Sequence, residues 1–153
     1  MTHSTRWRSP SSNYDDHNVF PQSQGQITMN PFQTPGAFSW SELITNDVQA
    51  AKDFYGKIFG WQFKAGKVSN ADYTVIEVAG KEVGGISPVP SQSPAMPPTW
   101  GTYVTVENVE ATLQKVEALG GKILMSPIQI PPNACFALIQ DPQGATLAII
   151  SYG

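Results

Sequence analysis

The feature that most constrains this chain is a unit of strand, cap, helix and glycine stop that occurs twice. "FSWSELITNDVQAAKDFYGKIFGW" runs from Phe38 to Trp61, and "WGTYVTVENVEATLQKVEALGGKI" runs from Trp100 to Ile123. Laid over each other without a gap, Trp40 falls on Gly101, Asn46 on Glu107, Asp47 on Asn108, Val48 on Val109, Tyr55 on Val116 and Gly60 on Gly121. In the first copy Phe38 to Ile44 has strand character. Asn46 reads as the N-cap, with Asp47 in the first turn and Gln49 at the capping-box position. Val48, Ala51, Tyr55 and Ile58 share one helical face, Phe54 and Phe59 widen it, and Gly60 stops the helix. In the second copy Asn108 is the cap, Val109, Thr112, Val116 and Leu119 form the face, and Gly120 and Gly121 end it.

Three strand-like pieces follow each helix. They are "WQFKA", "DYTVIEV" and "EVGGISPV" in the first half, and "GKILMSP", "ACFALIQ" and "ATLAIIS" in the second. "AGKE" (Ala79 to Glu82) and "DPQG" (Asp141 to Gly144) read as the hairpin turns. The chain is thus a βαβββ unit made twice. One unit is too small to stand alone, because its sheet buries one face on a single helix. Two of them give an α+β fold: a curved mixed sheet, helices outside, and a concave cleft on the face left over, where a ligand would bind.

Composition narrows the function. Of 153 residues 41% are apolar, enough for one packed core, and the net charge of −3 is a poor match for a phosphate backbone, so nucleic acid is not an expected partner. No apolar run is long enough to span a bilayer and the N-terminus lacks a signal-type segment, so no membrane partner and a cytoplasmic location are expected. The single cysteine, Cys135, rules out an internal disulfide and reads as a buried inert thiol. Residues 1–34 are rich in Ser, Asn, Gln, Asp and Pro, without period, and read as a disordered N-terminal extension that holds both histidines, His3 and His17. A sharper reading makes it an arm docking Trp7, Tyr14 or Phe20 on a partner subunit. Within the folded part, module one covers 35–88, a proline-rich bridge 88–98, and module two 99–153.

Strand alternation selects the cleft face. Trp40, Glu42 and Ile44 point inward from the first strand, and Gly101, Tyr103 and Thr105 from its counterpart. Pairing across the "DPQG" turn adds Ala137, Ile139, Thr146, Ala148 and Ile150, leaving Phe136, Leu138, Leu147 and Ile149 for the core. Tyr73, Val75, Gly84 and Ile86 are the inward candidates of the first module. The candidate ligand-binding residues are Trp40, Glu42, Tyr73, Tyr103, Thr105 and Ala148: an apolar, aromatic cleft with one carboxylate. A flat aromatic or cationic ligand would stack on Trp40 and pair with Glu42. Two bland readings stand beside this one. Glu42 bonded to Tyr103 or to a backbone N–H is one, and Trp40 and Tyr103 as mere space-filling is the other.

"WSEL…ND…AAKDFYGKIFGW", "VGGI", "W..Y..VENVE.T...V..LGGKI" and "DPQGA.LAI" resemble the vicinal oxygen chelate superfamily, over about Pro35 to Tyr152. That group contains glyoxalase I, extradiol dioxygenases, fosfomycin resistance proteins and the bleomycin-binding proteins. The resemblance implies a glyoxalase-like domain, often paired as a homodimer, with one divalent metal on the concave face of its enzymes. The metal-ligand positions it implies fall here on Trp40, Gly101, Ala148 and Gly84, none of which offers a donor side chain. No metal or other cofactor is therefore expected. The expected function is metal-free binding of a small, partly aromatic molecule. The alternative is a metal-dependent lyase or dioxygenase of the glyoxalase kind, which would require a divalent ion. A third reading is an interaction protein that dimerises through its extension.

Overall fold

A computed structural model describes residues 29–68, 71–91 and 93–153. The first module contains β1 (Phe38–Thr45), α1 (Val48–Phe59), β2 (Gln62–Val68), β3 (Ala71–Val78) and β4 (Lys81–Pro88). The second contains β5 (Thr99–Thr105), α2 (Val109–Ala118), β6 (Lys122–Ile130), β7 (Ala134–Gln140) and β8 (Thr146–Ser151). All eight strands form one sheet in the order β2-β3-β4-β1-β5-β8-β7-β6. Each module repeats the same pattern. Its first strand lies parallel to its last, β1 to β4 and β5 to β8, while the remaining pairs are antiparallel hairpins. The modules join through the antiparallel β1–β5 ladder, with Trp40 opposite Tyr103 and Glu42 opposite Gly101. Val68 of β2 and Ile130 of β6, on the two edge strands, line one cavity, so the sheet curls toward itself without closing. The α+β fold of two βαβββ modules is as the sequence indicates.

Local chemistry explains the helices, with one correction. The cap of α1 is Asp47, whose backbone is extended and whose side-chain Oδ1 accepts the Ala50 N–H at 2.8 Å; Asn46, expected in that role, precedes it. Asn108 caps α2 in the same way, accepting from Ala111 N–H at 2.7 Å. Gly60 ends α1 at φ +68, a left-handed conformation that glycine adopts without a Cβ penalty.

Two core clusters lie between sheet and helices, one per module. Leu43, Ile76 and Ile86 form the first, with Val48, Ala51, Tyr55, Trp61 and Phe63 packed on it. Val109, Leu113, Cys135, Ala137 and Ile149 form the second. Cys135 is buried there, as expected of an inert thiol. The helical faces are narrower than the sequence suggests. In α1, Ile58 is 51% exposed, and Phe54 and Phe59 are also exposed; in α2, Leu113 is core while Leu119 is 79% exposed. No described helix is long and apolar enough to cross a membrane.

Both hairpins sit one residue away from the expected register, and a one-residue slip exchanges the faces of a strand. In the second module Asp141 N–H bonds to the Ala145 carbonyl, so Ala145 belongs to the turn and Gln140 pairs with Thr146. Ala137 and Ile139 therefore face α2, and Phe136 faces the cleft. In the first module the turn is only Ala79 and Gly80, both at positive φ, as a tight hairpin requires. An irregularity then lets Ile76 pair with Gly84 rather than Val83. Ile86 becomes core, and Gly85 takes the cleft-facing position opposite Glu42 that was assigned to Gly84.

The clusters predict a contrast. Ile86→Ala should lower unfolding free energy by about 2–5 kcal/mol, whereas Ile58→Ala should change it by no more than about 0.5 kcal/mol. Urea denaturation of both variants checks this, and equal losses would contradict the packing of α1.

Candidate functional site

The concave face holds a cavity of about 710 Å³, in the size range of small-molecule sites. Six of its lining residues define its chemistry: Trp40 and Glu42 from β1, Tyr73 from β3, Tyr103 from β5, Phe136 from β7 and Tyr152 after β8. The central strands β1 and β5 thus supply the polar floor together with Tyr73 reaching in from β3, while Phe136 and Ile150 add apolar wall.

The floor is a hydrogen-bonded relay. Tyr103 hydroxyl donates to Glu42 Oε2 at 2.5 Å, and Trp40 Nε1 donates to Tyr73 hydroxyl at 2.9 Å. Glu42 lies beside the Tyr73 hydroxyl and acts on it electrostatically. Burial pushes the Tyr73 phenol well above its ordinary range, and the Glu42 charge adds to the shift. Tyr103 is raised for the same two reasons in the same order. Both phenols therefore keep their protons.

Gly85 makes the relay possible. A Cβ built on it would land on the Tyr73 hydroxyl, so only glycine lets the tyrosine of β3 reach across β4 toward β1. Sequence reasoning missed Gly85 because it placed Gly84 on this face. A Cβ built on Gly84 would instead lie 2.6 Å from the Ser41 carbonyl oxygen, on the opposite face of the sheet.

The chain before β1 forms one wall. Of the extension read over residues 1–34, residues 1–28 lie outside the described residues, with His3, His17, Trp7, Tyr14 and Phe20 among them. Residues 30–34 form a turn. Asn30 Oδ1 accepts from Phe32 N–H at 3.1 Å, and the Asn30 carbonyl accepts from Thr34 hydroxyl at 2.9 Å. Phe32 lines the cavity and packs edge-on against Tyr152, centroids 5.2 Å apart, and at 6.4 Å from Trp40. Tyr152 shares a hydrogen bond with Ser39 at 3.0 Å. Neither Phe32, Tyr152 nor Phe136 was singled out from sequence. A lone aromatic in a polar segment, or one after the last strand, carries no periodic signal.

Of the expected site residues, Trp40, Glu42, Tyr73 and Tyr103 come together in the cavity. Thr105 is buried and lies outside the lining; its hydroxyl donates to the Pro31 carbonyl at 2.7 Å and so holds the turn that carries Phe32. Ala148 is buried opposite Tyr103 and does not line the cavity. The bridge between modules runs from Pro88 to Thr99, and Trp100 after it bonds Tyr55 hydroxyl at 3.0 Å on the outer face. An outer-face cavity of about 510 Å³ lies there among Tyr55, Phe59, Trp61 and Trp100, without a carboxylate or amine in its lining.

The donor set does not suit a metal ion. On the cleft face the positions implied as ligands carry Trp40, Gly101, Ala148 and, by the corrected register, Gly85. Among the described residues no group of three His, Cys, Asp or Glu side chains is placed to hold a cation. Glu42 alone offers a carboxylate at the floor, and its Oε2 is already engaged by Tyr103.

Comparisons with known proteins agree with this architecture. CFP32 of Mycobacterium tuberculosis, which carries a glyoxylase name, is 35% identical over 117 residues, 74% of this chain and 45% of that protein. The anthracycline biosynthesis protein DnrV of Streptomyces peucetius is 30% identical over 128 residues, 75% of this chain and 46% of that protein. The chain thus spans less than half the length of these two relatives. Among solved structures, methylmalonyl-CoA epimerase from Mycobacterium tuberculosis superposes with a TM-score of 0.55 at 12% identity, over 76% of this chain and 87% of that one, a likeness of fold alone. The sequence profile of the glyoxalase/bleomycin resistance protein/dioxygenase superfamily matches residues 37–149. Profile, relatives and the paired βαβββ modules agree, and the chain belongs to that superfamily.

Proposed function

We propose that this chain binds a small, flat, partly aromatic molecule in the cleft between its modules and does so without a metal ion. The observation that carries the reading is the relay itself. One carboxylate, held by the Tyr103 phenol and set beside the Tyr73 phenol that the Trp40 indole bonds, lies at the floor of a mostly apolar cavity. Such a floor orients a ligand through few polar contacts while ring faces supply most of the attraction. The name of DnrV ties that relative to anthracyclines, which are built on flat fused rings, and this favours an aromatic ligand. The reading includes a homodimer, as the family resemblance implies, and a cytoplasmic location.

A panel of flat aromatic molecules, anthracyclines among them, should raise the melting temperature of the purified protein. A ligand at a hundred times its Kd stabilises by about 2.7 kcal/mol. Trp40→Ala should weaken binding about tenfold through lost stacking, read by calorimetric titration. Elemental analysis should find no stoichiometric Ni, Zn, Mn or Fe. A tightly held metal in the cleft, or an unchanged affinity in Trp40→Ala, would overturn the reading.

The relay also has a pH signature. An ordinary phenol ionises near 10.0, and Tyr73 and Tyr103 are both raised above that by burial and then by Glu42. Below pH 10 folded and unfolded chains hold these protons equally, so their contribution to stability is fully present. As pH rises above 10 the unfolded chain releases them first, and stability falls until the folded phenols ionise. Ultraviolet titration of tyrosinate should therefore show two late phenols in the folded protein. Glu42→Gln should bring both downward by removing the neighbouring charge.

A further inference from the structure

The cleft carries a charge without a counterion. Among the described residues the sole ion pair is Lys64 with Glu82, at 3.4 Å and well exposed. Glu42 accepts from the Tyr103 phenol, lies beside the Tyr73 phenol and takes part in no such pair. Lys81, the lone amine of the cavity lining, lies at the β3–β4 hairpin and is not paired with Glu42. Neutral donors share a carboxylate's charge but do not cancel it. A half-buried anion in apolar surroundings therefore holds a negative potential over the floor.

The walls reinforce that sign. Phe32, Trp40 and Tyr152 form a connected ring set over the cavity, and the face of an aromatic ring is its electron-rich side. An anionic ligand would meet repulsion at the floor and no cationic partner there. A positive group meets a carboxylate below and aromatic rings beside it, the kind of lining that recognises protonated and quaternary amines. Phe32 is held for this purpose from outside the cleft. The Thr105 hydroxyl grips the Pro31 carbonyl at 2.7 Å, and paired backbone bonds fix Gly36 and Ala37 to Thr105 at 2.8 and 2.9 Å.

We propose that the ligand is an organic cation, a protonated or quaternary nitrogen carried on a flat ring system, docked on Glu42 and walled by Phe32, Trp40 and Tyr152. This rests on the reading of the cleft as a ligand site, and it adds the ligand's charge and the part played by Phe32.

The test compares ring systems that differ in charge: N-methylacridinium, a fixed cation; acridine at pH 8, its neutral counterpart; and anthracene carboxylate, an anion. Calorimetric or fluorescence titration of the full chain should rank them cation, neutral, anion. The cation should bind roughly tenfold or more tighter than the neutral ring, the size expected of one charge-assisted contact. In Glu42→Gln that ratio should collapse toward one, whatever the absolute affinities. In Phe32→Ala, with its melting temperature recorded to confirm folding, the cation should lose several-fold in affinity. Equal binding of cation and neutral ring would overturn the charge assignment while leaving the aromatic-ligand reading intact. An unchanged ratio in Glu42→Gln would do the same, and an unchanged affinity in Phe32→Ala would remove the wall from the proposal. Failure of all three probes to bind would count against both the proposal and the reading beneath it.

Discussion

The antiparallel ladder between β1 and β5 is the contact on which the rest of this molecule depends. It is the seam between the two modules, and it sets Trp40 opposite Tyr103 and Glu42 opposite Gly101. Because side chains alternate along a strand, this register places the indole, carboxylate and phenol on one face of the middle of the sheet. A shift of one residue along the seam would send Glu42 toward Leu43's side, into the core. The parallel pairs flanking the seam then bring the cleft-facing Gly85 and Ala148 beside Glu42 and Tyr103 in pseudosymmetric fashion. The floor of the site is thus a consequence of strand pairing before any ligand is considered.

The two halves use this symmetry unequally. Module one contributes Glu42, with Gly85 next to it and the Tyr73 hydroxyl filling the space above that glycine. Module two places Tyr103 at the equivalent of Glu42 and a buried Ala148 at the equivalent of Gly85. One carboxylate and two phenols therefore meet near the pseudo-twofold position, where a symmetric site would carry matching donors from both halves. Burial raises both phenols, which keeps them protonated and committed to Glu42. The consequence is a floor rigid in its hydrogen bonding and asymmetric in its charge, suited to orienting a ligand.

The fold was legible because its signals are periodic. Helical stripes, a cap at Asn108, the glycine stop at Gly60 and the gapless repeat each depend on spacing alone, and spacing survives in a sequence without coordinates. Trp40, Glu42 and Tyr103 were legible for the same reason, since β1 and β5 are regular where these residues lie. The register of the outer hairpins was not. Turn length decides it, and the difference between a four-residue and a five-residue turn at Asp141 rests on one backbone bond, from Asp141 N–H to the Ala145 carbonyl. The irregularity near Val83 has the same effect in module one. Those two single-residue differences hid Phe136 and Gly85 and gave Ala137, Gly84 and Ile86 to the wrong face. Phe32 was hidden differently. Its segment has no period, and its position comes from long-range bonds to Thr105 that local sequence cannot express.

These misassigned positions leave the donor set of the cleft face unchanged in kind, and the reason is physical. Replacing Gly84 by Gly85 exchanges one donor-free residue for another, so the corrected face is as poor in ligands as the expected one. The correction does alter what occupies the space. With Gly84 on this face, module one would present a bare backbone there. With Gly85, the position is filled by the phenol of Tyr73, tied to Trp40 at 2.9 Å and set beside Glu42. An ion seated beside Glu42 would have to displace that phenol and break the Tyr103 bond as well, stranding two buried hydroxyls. A ligand that leaves the relay intact and answers Glu42 from the open side of the cavity meets no such penalty. The relay thus sets a cost on an ion inserted into the floor that a molecule laid upon it would not meet, and this is the physical basis of the proposed metal-free reading.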